Sequence, residues 1–351
     1  MQDTTISLCM IVKNEEKVLA RCLDSVADLV DEIIIVDTGS SDSTKEIALR
    51  YTDQVYDFAW QDDFAAARNF SFSKATKDYI YVPDADEVLD EENREAFRQL
   101  KQVLLPEVEI VQMLYHTVTE YNTVLNAEKE YRPKLFKRER SFTWIDPVHE
   151  TVRLDPVVFD SDIVITHMPQ NLHSKRDFSI FQKALIRDGR LSDRLLRMYA
   201  MELYKTGDAA DLLEACPYFS SIYETESDPD QHAYAAAILL RAYRMAGNEL
   251  AFFKVALKEM AGTPSSEVCV ELGEFYLEKM DAKEASLWFY NAVYEAGAIL
   301  DVNAGGEHAL QRLVTSYEAV LGQELSEDER DYFMDALLQA RQALAMAKTI
   351  K

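Results

Sequence analysis

Tyr79-Ile80-Tyr81-Val82-Pro83-Asp84-Ala85-Asp86-Glu87 runs from β-branched and aromatic residues straight into acid. Tyr79 to Val82 fits a half-buried strand, and Pro83 ends ladder donation just before the carboxylates. The acids then project from the strand's C-terminal end, where open α/β sheets bind ligands. Hard oxygen donors at alternate positions, Asp84 and Asp86, suit Mg²⁺ or Mn²⁺, which in turn holds a substrate's phosphates. Alone, Asp-x-Asp reads sooner as a solvated acidic turn than as a metal site, so the segments around it decide.

Upstream, strand and helix signals alternate. Ile6 to Val12 is an apolar, β-rich run. Asn14 to Leu29 carries Val18, Leu19, Cys22, Leu23 and Val26 at helical spacing, which predicts one amphipathic helix. Ile33 to Val36 is a buried strand ending at Asp37-Thr38-Gly39-Ser40, and Ser41 to Thr44 supply capping side chains for a helix over Glu46 to Tyr51. A short strand at Gln54 to Asp57 and a helix at Phe64 to Lys74 complete a βαβαβαβ order, which predicts a mainly parallel sheet. Val108 to Thr119 and Val157 to Thr166 read as antiparallel additions to the sheet edge.

After His173 the strand signals stop. Leu195 to Asp208, Tyr234 to Glu249 and Val268 to Gly297 have the pattern of helical hairpins. In the third, Leu272-Gly273, Tyr276, Ala282, Ala285, Phe289 and Ala292 fall at a spacing that resembles a tetratricopeptide repeat; a generic helical bundle is the competing reading. Ser326 and Glu329 form a capping box ahead of a last helix, Glu327 to Lys348. The expected organisation is an α/β domain over residues 1–172 and an all-α repeat domain over 173–351.

The chain has 351 residues, 48% of them hydrophobic, and a formal net charge of −25. That charge argues against nucleic-acid and anionic-membrane binding, both of which need basic surface. Cys9, Cys22, Cys216 and Cys269 are scattered, the pattern of buried thiols in a reducing compartment. The first residues lack the features of a signal peptide, and no apolar stretch is long enough to span a bilayer. The expected location is cytoplasmic.

Four segments now stand in order: Ile11-Val12-Lys13-Asn14-Glu15-Glu16, Val36-Asp37-Thr38-Gly39-Ser40-Ser41-Asp42-Ser43-Thr44, Ala67-Arg68-Asn69 and Asp84-Ala85-Asp86-Glu87. Together they resemble the nucleotide-sugar-binding half of a GT-A fold enzyme of inverting glycosyltransferase family 2. The likeness is to the bacterial branch whose catalytic domain precedes tetratricopeptide-like helices. The resemblance implies a UDP-sugar donor and a divalent metal, Mn²⁺ or Mg²⁺. It assigns Val12, Asn14, Glu15, Asp37, Arg68 and Asp84 to the nucleotide. It assigns Asp84, Asp86 and His149 to the metal. Inversion needs a base for the acceptor's proton, and Glu150 is the first choice with Asp146 in reserve.

Each assignment has a plainer rival. Glu150 reads also as a surface acid, His149 as a hydrogen-bonded structural residue, and Arg68 as part of a solvated helix face. The basic run Arg132 to Arg138 offers Lys134 and Lys137 either to the diphosphate or acceptor, or to solvent along an edge strand. Trp60, Tyr115 and Trp144 either stack on a sugar or fill the core. Two places depart from the family pattern: Pro83, and Met168-Pro169 after His167. The helical repeats offer a surface for a peptide or protein acceptor, a glycan acceptor being the alternative, or for homo-oligomerisation. The rival reading of the whole chain is a non-catalytic protein-binding scaffold with a degenerate transferase domain.

Overall fold

The computed structural model describes residues 4–117, 129–152, 156–168, 174–225 and 228–349. It divides into two units, Met1–Arg187 and Asp188–Lys351. The first contains, in order, β1 (Ile6–Val12), α1 (Leu19–Val26), β2 (Glu32–Asp37), α2 (Thr44–Ala48), β3 (Val55–Asp57), α3 (Phe64–Phe72), β4 (Tyr79–Tyr81), β5 (Glu87–Val88) and α4 (Glu91–Val103). There follow β6 (Ile110–Thr117), β7 (Lys129–Lys137), β8 (Trp144–Ile145), β9 (Thr151–Val152), β10 (Val158–His167) and α5 (Ser174–Asp188).

Eight strands form one sheet in the order β3-β2-β1-β4-β7-β6-β10-β5. The β3-β2-β1-β4 half is parallel throughout, so β1, β2 and β4 all point their C-terminal ends, and the acids that follow them, to one edge. Strict alternation in β1 builds both faces of the core. Leu8, Met10 and Val12 pack with Leu19, Leu23 and Phe97 on one side. Cys9 packs with Ile34, Val36, Ile80, Phe136 and Trp144 on the other. This is the GT-A architecture that the resemblance implies.

Three expectations are corrected. The helix read over Asn14 to Leu29 begins only at Leu19, because Asn14 takes a positive φ of 56° and turns the chain. The strands after α4 are not simply antiparallel edge additions. β7 lies inside the sheet, antiparallel to both β4 and β6, whereas β6 and β10 are parallel to each other. The first unit also runs past the 172/173 boundary, because α5 packs with it. Lys183 pairs with Asp62 at 2.7 Å, and the Arg176 guanidinium lies 4.9 Å from the Phe64 ring.

The second unit holds α6 (Asp193–Thr206), α7 (Ala209–Thr225), α8 (Pro229–Met245), α9 (Glu249–Glu259), α10 (Ser266–Glu278), α11 (Ala282–Tyr294), α12 (Glu307–Leu321) and α13 (Glu327–Thr349). No strand occurs there among the described residues. The capping box forms as expected: the Ser326 amide donates to Glu329 Oε2 at 3.0 Å, and the Glu329 amide donates to Ser326 Oγ at 3.3 Å. Among the described residues no helix is long and apolar enough to cross a membrane.

The α10–α11 hairpin shows why its small residues recur. A Cβ on Gly273 would stand 2.7 Å from Cζ of the fully buried Phe289, so glycine is what lets the ring lie against the α10 backbone. Gly273→Val is expected to destabilise the protein by about 1–3 kcal/mol through overpacking, read as a lowered midpoint in urea unfolding.

Candidate active site

At the C-terminal edge of the parallel strands the loops after β1 and β2 interlock. The Asn14 amide donates to Ser40 Oγ at 2.9 Å, and Asn14 Oδ1 accepts from the Ser41 amide at 2.8 Å. The Glu15 amide donates to Thr44 Oγ1 at 2.7 Å. Asparagine tolerates the left-handed conformation this needs. Asn14 is therefore a strut between loops. Asp37 turns one oxygen to its own loop, with Oδ1 accepting from the amides of Gly39 and Ser40 at 2.7 and 2.8 Å. Its Oδ2 is buried with no hydrogen-bond partner among the described residues.

These loops border a cavity of about 400 Å³. Of the residues assigned from the sequence, Val12, Glu15, Arg68, Asp84, Asp86, His149 and Glu150 line it, whereas Asn14, Asp37 and Asp146 do not. Trp60, Phe64, Tyr115, Arg132, His167, Arg176 and Asp177 complete much of the wall.

Arg68 stands between two carboxylates. Its Nε donates to Glu150 Oε1 at 2.5 Å and its Nη2 to Asp84 Oδ1 at 3.1 Å. The side chain is 12% exposed, which removes the solvated-face reading. Asp63 caps α3 by accepting from the Ala66 amide at 2.9 Å, fixing the helix that carries Arg68. Asn69, one residue on, holds the opposite wall. Its amide nitrogen donates to the Trp144 carbonyl at 2.9 Å and its Oδ1 accepts from the Trp144 amide at 2.8 Å. The segment so anchored takes positive φ at Asp146 (73°) and His149 (50°), a conformation that side chains adopt only when neighbours enforce it.

Beneath Asp84 lies a buried ion pair. Lys134 Nζ donates to Glu87 Oε1 at 2.6 Å and sits 3.9 Å from Asp84 Oδ2. Burial works against the Asp84 carboxylate, but Lys134 and Arg68 overcome it and hold the group well below the usual carboxylate range. Burial pushes Glu87 up, to about 7, against the pull of Lys134. Lys134 thus faces inward, and neither expected use of it, diphosphate contact or solvated edge, fits its position. Lys137 donates to the Pro106 carbonyl at 2.6 Å. Of the basic run only Arg132 reaches the cavity, with its guanidinium 3.6 Å from the Tyr115 ring. Arg132 and Lys134, two residues apart on β7, both lie over the Tyr115 ring.

The histidine beside Asp86 is His167, whose Nε2 lies 3.1 Å from Asp86 Oδ2. The antiparallel pairing of His167 with Glu87 and the Met168 amide bond to the Asp86 carbonyl at 3.1 Å put it there, despite the Met168-Pro169 departure. His149 lines the same cavity from the α5 side, its ring 5.9 Å from Phe181. Among the described residues no cluster of three or more metal-ligating side chains forms. A carboxylate and an imidazole side by side still fit a divalent cation that takes its remaining ligands from phosphate and water. His167 Nδ1, buried with no partner among the described residues, leaves Nε2 as the nitrogen beside Asp86. Trp144 is core, packed edge-on to Phe72 and Phe136, while Trp60 lines the cavity against Phe64.

Burial, then Asp86, push the Glu15 carboxyl up to about 7, with Arg176 opposing. At Glu15 the folded chain therefore holds a proton that the unfolded chain has lost between about pH 4.5 and 7, so this group's contribution to stability falls as pH rises through that window. Without added metal, Glu15→Gln is expected to flatten this slope by roughly 1–3 kcal/mol in urea titrations at several pH values. Lys134→Met, which strands Glu87, is expected to cost about 3–5 kcal/mol, and adding Glu87→Leu to recover most of it in the same assay.

Residues 7–152 match the family model for glycosyl transferase family 2. A tetratricopeptide repeat-containing protein of Synechococcus elongatus is 41% identical over 149 residues, covering 42% of this chain and 35% of that protein. The SPbeta prophage-derived glycosyltransferase SunS of Bacillus subtilis is 37% identical over 102 residues, covering 28% of this chain and 24% of SunS. The chain thus matches well under two thirds of either relative. Among solved structures, glucosyl-3-phosphoglycerate synthase from Mycobacterium tuberculosis, in complex with Mn²⁺, UDP-glucose and phosphoglyceric acid, aligns at a TM-score of 0.39 and 16% identity. That alignment covers 54% of this chain and 82% of the other. The similarity to glycosyl transferase family 2 thus covers residues 7–152, the greater part of the α/β unit.

Proposed function

We propose that the chain is an inverting, metal-assisted glycosyltransferase that takes its sugar from a nucleotide-sugar, of the UDP class, and passes it to an acceptor hydroxyl. The observation that supports this most is the meeting of Glu15, Arg68, Asp84, Asp86, Glu150 and His167, from separate segments, around one cavity at the sheet's C-terminal edge. A degenerate scaffold has no need to keep that set together.

In this reading the nucleoside lies against the ends of β1 and β2, where Glu15 lines the cavity and offers a hydrogen-bond partner to the base or ribose. Asp86 and His167 are the residues that would hold the divalent cation, and the cation would neutralise charge on the departing diphosphate. Arg68 fixes Asp84 on the donor side and Glu150 on the facing wall. Glu150 Oε2, which accepts no hydrogen bond among the described residues, receives the acceptor's proton. The acceptor oxygen then bonds to the anomeric carbon from the face opposite the diphosphate. The bond to the phosphate oxygen breaks with its electron pair staying on the nucleoside diphosphate.

Calorimetric titration with UDP, GDP and CDP, with and without Mn²⁺, tests the donor site. Mn²⁺-dependent UDP binding that weakens at least about tenfold in Asp86→Ala is the expected result. Absence of nucleotide binding under every condition overturns the donor reading.

A further inference from the structure

A cavity with this many carboxylates must still receive a diphosphate, and one cation does not neutralise it. The cavity's own basic side chains are Lys13, Arg68, Arg132 and Arg176. Arg68 is committed to Glu150 and Asp84. Arg132 is bonded to Glu130 at 2.6 Å through Nε and stacked on Tyr115. Lys13 stands exposed in the loop after β1. Arg176 is different. It rises from the first turn of the 15-residue α5 and is 49% exposed. Its one polar bond among the described residues is Nε to the adjacent Asp177 at 2.9 Å, a half-exposed pair of little strength that a phosphate can replace. Its guanidinium rests on Phe64 at 4.9 Å, a stack that sets its direction without using its remaining N–H groups. Arg176 lines the same cavity as Glu15.

From this placement we infer that Arg176 is a diphosphate-binding residue, carried into the donor site by a helix outside the segment that matches the family model. The inference rests on the donor reading above. It assigns α5 a binding role in place of a linker role. It also accounts for the ties that hold α5 to the loop before α3, Lys183 to Asp62 at 2.7 Å and Arg187 to Asp63 at 4.0 Å.

The test compares UDP with uridine on the full chain in the presence of Mn²⁺, using wild type, Arg176→Ala and Arg176→Lys. A guanidinium on phosphate predicts that Arg176→Ala weakens UDP binding about tenfold or more and leaves uridine binding unchanged. Arg176→Lys, which keeps the charge and loses the fork, should fall between. Unchanged UDP affinity in Arg176→Ala overturns the inference and leaves the donor reading standing. Equal losses for UDP and uridine also overturn it, because they show Arg176 acting through the position of α5. Failure of the wild type to bind UDP defeats the donor reading itself.

Discussion

Everything at this site is arranged around Arg68. It is a nearly buried cation whose two nearest anions come from different parts of the chain, Asp84 after β4 and Glu150 after β8. A buried guanidinium is tolerable only when its charge and its fork are both answered. Two carboxylates answer it, and in doing so they are brought within one side chain's reach of each other. Distance in sequence between the donor-side acid and the facing wall is thereby turned into a fixed distance in space.

The second layer has the same logic one step deeper. Asp84 is flanked by Arg68 on one side and Lys134 on the other, and Lys134 is held in turn by Glu87. Each charge in the row is partnered by the next, so none is left alone in low dielectric. That leaves Asp86 and His167 as the adjoining pair whose groups point to the cavity and not into the row. The acids of the Asp-Ala-Asp-Glu run therefore divide their work: Asp84 and Glu87 hold the row together, while Asp86 meets what enters.

Much of this was legible in the sequence, for identifiable reasons. The parallel half of the sheet followed from strand–helix alternation, since Ile6–Val12, Glu32–Asp37 and Tyr79–Tyr81 end in polar residues that mark a strand's exit to one edge. Six of the seven assigned residues that line the cavity lie on or beside those exits or in the Val-His-Glu segment, and the seventh, Arg68, is carried by α3. What escaped was set by long-range pairing. Nothing near Lys134 says that β7 enters the middle of the sheet, and without that it reads as a surface lysine. His167 comes to Asp86 only through the two-residue ladder between β10 and β5. Asn14, assigned to the nucleotide from the family resemblance, has a positive φ and bonds to the next loop, a local role that the sequence did not show.

The membership of α5 in the first unit has a practical side. The helix begins after the last sheet strand and after the end of the family match at residue 152, so a fragment cut after β10 would keep the sheet but lose the α5 side of the cavity, and one cut at residue 152 would lose β10 and His167 as well. Such a fragment would also bare the ring of Phe64 and leave Asp62 and Asp63 without the cations that face them. For excision, fusion or exchange of modules, the division between the two units falls after Arg187, beyond residue 152 where the family match ends.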